Sequence, residues 1–298
     1  MEFVDIAIDD KDIFDKYLKI YNPQESELTF TNLFIWRHFY NIKYAVINDL
    51  LCVISIPSSD KPFAFFPIGD ASKNDIEPAV LEIKKFFENK GWKPQLKRVP
   101  EEKLQYVRKI VADETFIAYD MNNSDYVYRS NDLISLRGKK YDGKRNHINN
   151  FKKLYDYEYK TIDESLLDEC KRIMDRWCAE HSCEDHKEFY CEKLANIELL
   201  NNYERLGVKG TIIMVDGVYE AFAAGEMLNT DTAVIHIEKA NSKINGLYTY
   251  INQAFAQKEW ADAEFINREQ DLGVEGLRKS KLSYNPAKFV KKYIISLC

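Results

Sequence analysis

Residues 232–255, TAVIHIEKANSKINGLYTYINQAF, hold a strand, a polar loop and the start of a helix. The rest of the chain is read outward from them. Alternation in TAVIHIE puts Ala233, Ile235 and Ile237 on one face and Val234, His236 and Glu238 on the other. The loop KANSKIN leads to Gly246, after which Leu247, Tyr250, Ile251, Ala254 and Phe255 recur at the spacing of one buried helical face. A second strand, EFIN, runs into NREQDLGVEGLRKSKLSYNP (267–286), where polar residues crowd a short helix. A strand with two ionisable groups on one face, opening through a polar loop onto a helix N-terminus, suits an anionic acyl carrier, because free amides and the helix dipole attract negative charge.

Upstream, a hairpin is marked by GTIIMV, the turn Asp216-Gly217 and VYEAFAAGEML. Two helices precede it, one holding Leu166, Cys170, Ile173, Met174 and Trp177 and the other running from about Phe189 to Tyr203. The N-terminal part begins with a helix presenting Ile13, Phe14, Tyr17, Leu18 and Tyr21 on one side. Ser26 or Thr29 caps a second helix. The strands KYAVIN and LLCVISIP then pair through Asn48-Asp49, and PFAFFPIG follows. A helix with Val80, Ile83, Phe86 and Phe87 on one face ends at Gly91, and TFIAY is a further strand. The irregular run DMNNSDYVYRS marks a boundary, which divides the chain into residues 1–128 and 129–298. KFVKKYIISL is expected to be the strand that closes the second sheet. The halves share an order of elements without a repeat in sequence.

At 298 residues, 45% hydrophobic and 30% charged, with eight prolines, the composition is that of a folded globular chain. No apolar run reaches the roughly 20 residues of a membrane-spanning helix. The N-terminus MEFVDIAIDDKD lacks a signal-peptide pattern, so the expected location is the cytoplasm. The six cysteines show no CxxC pair or zinc spacing and are read as idle thiols. No His, Cys or carboxylate cluster has metal spacing, so no metal is expected. The formal net charge of −6 argues against a dedicated nucleic-acid binder. Two basic runs depart from it. Arg137–Lys153 has seven Lys or Arg against Asp142 alone, and Arg278–Lys292 has six and no acid.

The C-terminal order of helices, hairpin, strand, loop-helix, strand, helix and strand is similar to that of a GNAT-type acyltransferase domain. GKKYDGKRNHINNF (138–151) and NREQDLGVEGLRKSKLSYNP (267–286) resemble the signature segments of a bacterial family related to the C-terminal domain of phosphatidylglycerol lysyltransferases. The resemblance covers nearly the whole chain. It implies an α/β (α+β) fold of tandem GNAT-like domains with mixed, mostly antiparallel sheets flanked by helices, the first domain degenerate, as in Fem-type aminoacyl transferases. The membrane-embedded half of the lysyltransferases has no counterpart in this sequence.

In such domains the strand before the donor loop splays from its neighbour. Glu238 at its end is then the candidate general base, with His236 the second, and Glu226 on the preceding strand reaches the same pocket. Glu238 and His236 are also readable as polar groups satisfied by substrate or backbone. The donor loop, with Ser242, Asn245, Gly246 and Leu247, stands where GNAT enzymes cradle a pyrophosphate, although their glycine-rich Q/R-x-x-G-x-G/A pattern is reduced here to Gly246. Arg278 and Lys281, three apart on a helix, and Lys139, Lys140 and Arg145 are expected to hold the donor's phosphates. Asn267, Glu269 and Asp271 are read as orienting an acceptor amine or as capping the helix that begins near Gly273, the latter above all for Asp271. The implied reaction moves an acyl group from acyl-CoA or aminoacyl-tRNA to an amine or hydroxyl of a small-molecule or peptide acceptor. The competing reading is a catalytically inactive ligand-binding or regulatory protein.

Overall fold

The computed structural model describes residues 2–58, 60–71, 75–110, 116–183 and 187–297. They form two compact units. The first unites residues 1–126 with 270–278 and 289–298, and the second unites 127–269 with 279–288. The cut expected after residue 128 is therefore followed by further exchanges, in which two later segments return to the first unit.

The first sheet contains β1 (Val4–Asp5), β2 (Ile42–Ile47), β3 (Leu50–Ser55), β4 (Phe63–Ala64), β5 (Gln95–Pro100) and β6 (Ile117–Tyr119). The second contains β7 (Asp125–Arg129), β8 (Tyr157–Thr161), β9 (Lys209–Val215), β10 (Val218–Met227), β11 (Thr232–Ala240), β12 (Phe265–Asn267) and β13 (Lys288–Val290). A last strand, β14 (Lys292–Ser296), belongs to the first sheet. The orders are β1-β2-β3-β4-β5-β14-β6 and β13-β7-β12-β11-β10-β9-β8. Starting at β1 in one and β8 in the other, both sheets make three antiparallel pairings, then a parallel one (β4–β5; β11–β12), then an antiparallel one. The doubled order of elements is thus a doubled sheet architecture. The mixed, mostly antiparallel α/β class is as expected.

Twelve α-helices join the strands among the described residues. In the first unit these include α1 (Lys11–Tyr21), α2 (Phe30–Ile35), α3 (Arg37–Tyr40), α4 (Glu77–Asn89) and α5 (Leu104–Val107). The second unit has α6 (Ser130–Ser135), α7 (Asp142–Leu154), α8 (Leu167–Glu180), α9 (Lys187–Asn201), α10 (Tyr203–Leu206) and α11 (Leu247–Glu259). The last helix is α12 (Glu275–Leu282). Every residue of β3 is buried, as in a strand covered on both faces. Phe14, Tyr17, Leu18 and Tyr21 of α1 are buried as their spacing predicts, but Ile13 is 40% exposed. Thr29, not Ser26, caps α2, its side chain accepting from the Asn32 N–H at 3.0 Å. Both hairpin turns are as expected, since Asn48, Asp49, Asp216 and Gly217 all take positive φ.

Two expectations are corrected. KFVKKYIISL is not one strand: it breaks at Lys291, leaving β13 on the second sheet and sending β14 between β5 and β6 of the first. The reason lies in Lys292, whose fully buried ammonium is held in the first unit by Glu27 at 2.5 Å and Asp125 at 2.6 Å. Cys178 and Cys183 are not idle thiols but a disulfide that ties the last turn of α8 to the residues just after it. Cys52 and Cys170 are buried and reduced.

Candidate functional site

The site is built on the open edge of β11. Its parallel ladder with β12 runs only from Thr232 to Val234, so among the described residues no strand lies beside that edge from Ile235 to Ala240. The other edge of β11 pairs with β10, and there β11 is bulged. Ala224 pairs with Ile237 and Gly225 with Ile235, so His236 is the extra residue with no opposite number. The strand approach there is close: a Cβ on Gly225 would lie 2.3 Å from the Val234 carbonyl oxygen, so glycine is required. Across the bulge Glu226 pairs with Val234, and its carboxylate reaches the His236 ring.

His236 lies between two carboxylates. Its ring, 1% exposed, donates from Nε2 to Glu226 at 2.9 Å and from Nδ1 to Glu269 at 3.2 Å. Burial alone pulls an imidazole pKa down, but the two hydrogen-bonded carboxylates override it and push His236 up to about 9. The residue is therefore an imidazolium at neutral pH, and it cannot serve as a free base. Glu269 reaches it from a left-handed backbone (φ 58), where its N–H is held by the Asn267 side chain at 2.8 Å. Asn267 is fully buried, so it orients the turn after β12.

Glu238 stands two residues along β11, about 7 Å away on the same face. Both its oxygens are occupied: Oε2 accepts from Asn252 of α11 at 2.8 Å and Oε1 from Arg268 at 3.1 Å. The Arg268 guanidinium lies over the Tyr284 and Tyr128 rings, 4.8 and 5.7 Å from their centres. Against the same Tyr284 ring, 3.9 Å from its centre, sits the ammonium of Lys144 from α7. Burial, then repulsion from Arg268, lowers its pKa to about 8 against the pull of Glu238.

The expected donor contacts divide. β11 takes Lys239 and Ala240 out of the loop, and Lys239 is buried against Trp177 and paired with Glu192 at 2.7 Å. Ser242 is exposed, and Asn245 meets His147 of α7 at 3.2 Å. Gly246 precedes α11 at φ 87, and a Cβ there would sit 2.3 Å from the His147 carbonyl oxygen. Leu247 is wholly buried and belongs to the core rather than to a ligand surface. Lys139 and Lys140 are exposed, but Arg145 is spent on Asp142 and on the carbonyls of Leu136 and Gly138.

In the second basic run, the two cations expected to hold phosphates are engaged within the protein. The buried Lys281 donates to the Arg268 and Glu269 carbonyls and holds the chain after β12 in place. Arg278 makes a two-point ion pair with Asp271, at 2.7 and 2.9 Å, and both belong to the first unit. Burial would raise the Asp271 carboxyl, but Arg278, Tyr126 and the Gly273 N–H hold it down to about 2. Asp271 is thus committed to that pair and that turn. Arg268, Lys144, Asn252 and Tyr284 went unselected by sequence reasoning. Arg268 and Tyr284 lie inside the run 267–286, but nothing in the spacing shows that a strand end brings them beside Glu238.

The fold is that of a tandem GNAT-like protein. The whole of this chain matches 98% of a tandem GNAT protein from the clavulanic acid biosynthesis pathway at TM-score 0.52 and 8% identity, which is a likeness of fold. The model of the family described as phosphatidylglycerol lysyltransferase, C-terminal, matches residues 18–296, and the chain belongs to that family. A conserved protein of unknown function from Bacteroides thetaiotaomicron is 33% identical with full coverage of both chains and a TM-score of 0.93. The protein MYCGA3080 of Mycoplasmoides gallisepticum is 26% identical over 179 residues, 59% of this chain and 57% of that protein, so the match spans little more than half of that relative's length. Among the described residues no helix is long and apolar enough to cross a membrane.

Proposed function

We propose that the protein transfers an aminoacyl group from aminoacyl-tRNA to an amine or hydroxyl of a small-molecule or peptide acceptor, at the open edge of β11. The observation that carries the choice of donor is the start of α11. The His147 carbonyl stands against Gly246, placing a partial negative charge where a pyrophosphate of acyl-CoA would need bare amides. The family's description names a lysyltransferase, which agrees with an aminoacyl donor. Exposed Arg137, Lys139, Lys140, Lys152 and Lys153 supply cations at and before α7 for a polyanionic carrier. The acceptor adds to the ester carbonyl, and backbone amides along β11 from Ile235 to Ala240 are the donors that the developing oxyanion needs.

A second reading is favoured by one observation: His236 is locked as a cation and Glu238 is ion-paired, so both expected bases are occupied. On that reading the cleft binds a ligand without reacting. Incubating the protein with tRNA charged with labelled amino acids, and separately with labelled acetyl-CoA, in the presence of a small-molecule extract separates the two. Loss of label from tRNA above spontaneous hydrolysis is expected. Untouched tRNA, or consumption of acetyl-CoA instead, sinks the proposal.

A further inference from the structure

The proposed transfer needs a proton acceptor, and the two residues first expected to serve are engaged. One amine at the site has no carboxylate partner among the described residues. Lys144 projects from the first turn of α7, half-buried, with its ammonium on the Tyr284 ring and, among the described residues, no carboxylate in ion-pair range. The groups facing it are Arg268 after β12, Glu238 on β11 and Tyr284 after α12. Near it on its own helix, Asp142 and Arg145 are paired with each other and His147 with Asn245. Tyr248 of α11 is the further titratable group beside Glu238.

We propose that Lys144 is the general base of the reaction, an inference that rests on the transferase reading above. Its neutral Nζ takes the proton from the acceptor N–H or O–H as that atom bonds to the ester carbonyl carbon. When the carbon–oxygen bond to the tRNA ribose breaks, the resulting Lys144 ammonium returns the proton to the departing hydroxyl oxygen. The proton balance closes within the site, and no other reactant is needed. Burial first, and then the neighbouring Arg268 guanidinium, make a lysine suited to this: both disfavour the charged form, and Glu238 opposes them.

The test compares wild type, Lys144→Arg and Lys144→Gln in the full chain. With charged tRNA and an acceptor, wild-type kcat/KM is expected to rise with pH and level off above about 8. Both variants are expected to lose about 100-fold or more and to lose that rise. Arginine keeps the charge without a titrating amine, so recovery of activity in Lys144→Arg would overturn the base in favour of a cation that binds substrate. Competitive amine labelling with peptide mass spectrometry reads the Lys144 titration without any transfer, and a midpoint at the ordinary lysine value of 10.5 also overturns the proposal. If wild type transfers from neither carrier, the transferase reading fails and takes this role with it. If it transfers and the variants match it, Lys144 alone is wrong.

Discussion

His236 shows how a residue's neighbours decide its chemistry. An isolated histidine on a strand face is the natural choice for a base near neutral pH, yet two carboxylates convert it to a held cation. The folded pKa of about 9 lies above the ordinary histidine value of 6.5, so the stabilisation is complete below 6.5 and is lost as pH rises through 9. That rise corresponds to ~3 kcal/mol at most. Denaturant unfolding of wild type and His236→Asn between pH 6 and pH 10 is expected to show a stability difference that shrinks over that window. Glu25, raised by burial to about 7, weakens both proteins in the same direction between 4.5 and 7 and cancels in the comparison. A constant difference would mean that His236 is neutral. At Gly246 the argument is steric: a methyl at φ 87 meets a backbone carbonyl that cannot rotate away. Gly246→Ala is expected to cost about 2–4 kcal/mol, read as a lower denaturation midpoint at unchanged slope.

At the scale of elements, α7 carries both the proposed base and the proposed carrier-binding cations, on different residues. Lys139 and Lys140, just before it, and Lys152 and Lys153, in its last turn, are exposed. Replacing these four by Glu is expected to weaken tRNA binding by at least 10-fold at low salt and to flatten the dependence of log Kd on log salt, by about 0.7–0.9 for each phosphate no longer neutralised. An unchanged slope in filter binding would remove α7 from the interface. The pair of basic runs also shows what periodicity leaves out. Spacing identifies charged residues but not which are buried. Lys281 and Lys292, indistinguishable in sequence from Lys279 and Lys288, end up holding carbonyls and carboxylates inside the units. The elements from β9 through α11 were legible because their turns and apolar spacing are local. The bulge at His236 was not, since it depends on how β10 registers against β11.

For the whole molecule, the decisive feature is the path of the chain after β12. Sequence shows two halves with the same order of elements, and the two sheets share that order strand by strand. What sequence could not show is where the last strand goes, because a buried β strand carries no label for its sheet. β14 enters the first sheet between β5 and β6, pairing with both, and brings Lys292 to Glu27 and Asp125 with Arg98 closing on Glu27 at 3.2 Å. Without β14, β5 and β6 lose their shared partner, and Glu27 and Asp125 are left buried without that cation, a loss of about 3–5 kcal/mol for the charges alone. A polypeptide of residues 1–128 is therefore expected to give no cooperative thermal transition by circular dichroism. The same polypeptide extended through a flexible linker into residues 289–298 is expected to recover one, and Lys292→Met in that extension is expected to weaken it. Cooperative unfolding of 1–128 alone would show that the first sheet closes without its sixth-placed strand, and that the return of the C-terminus is not needed to hold the unit together.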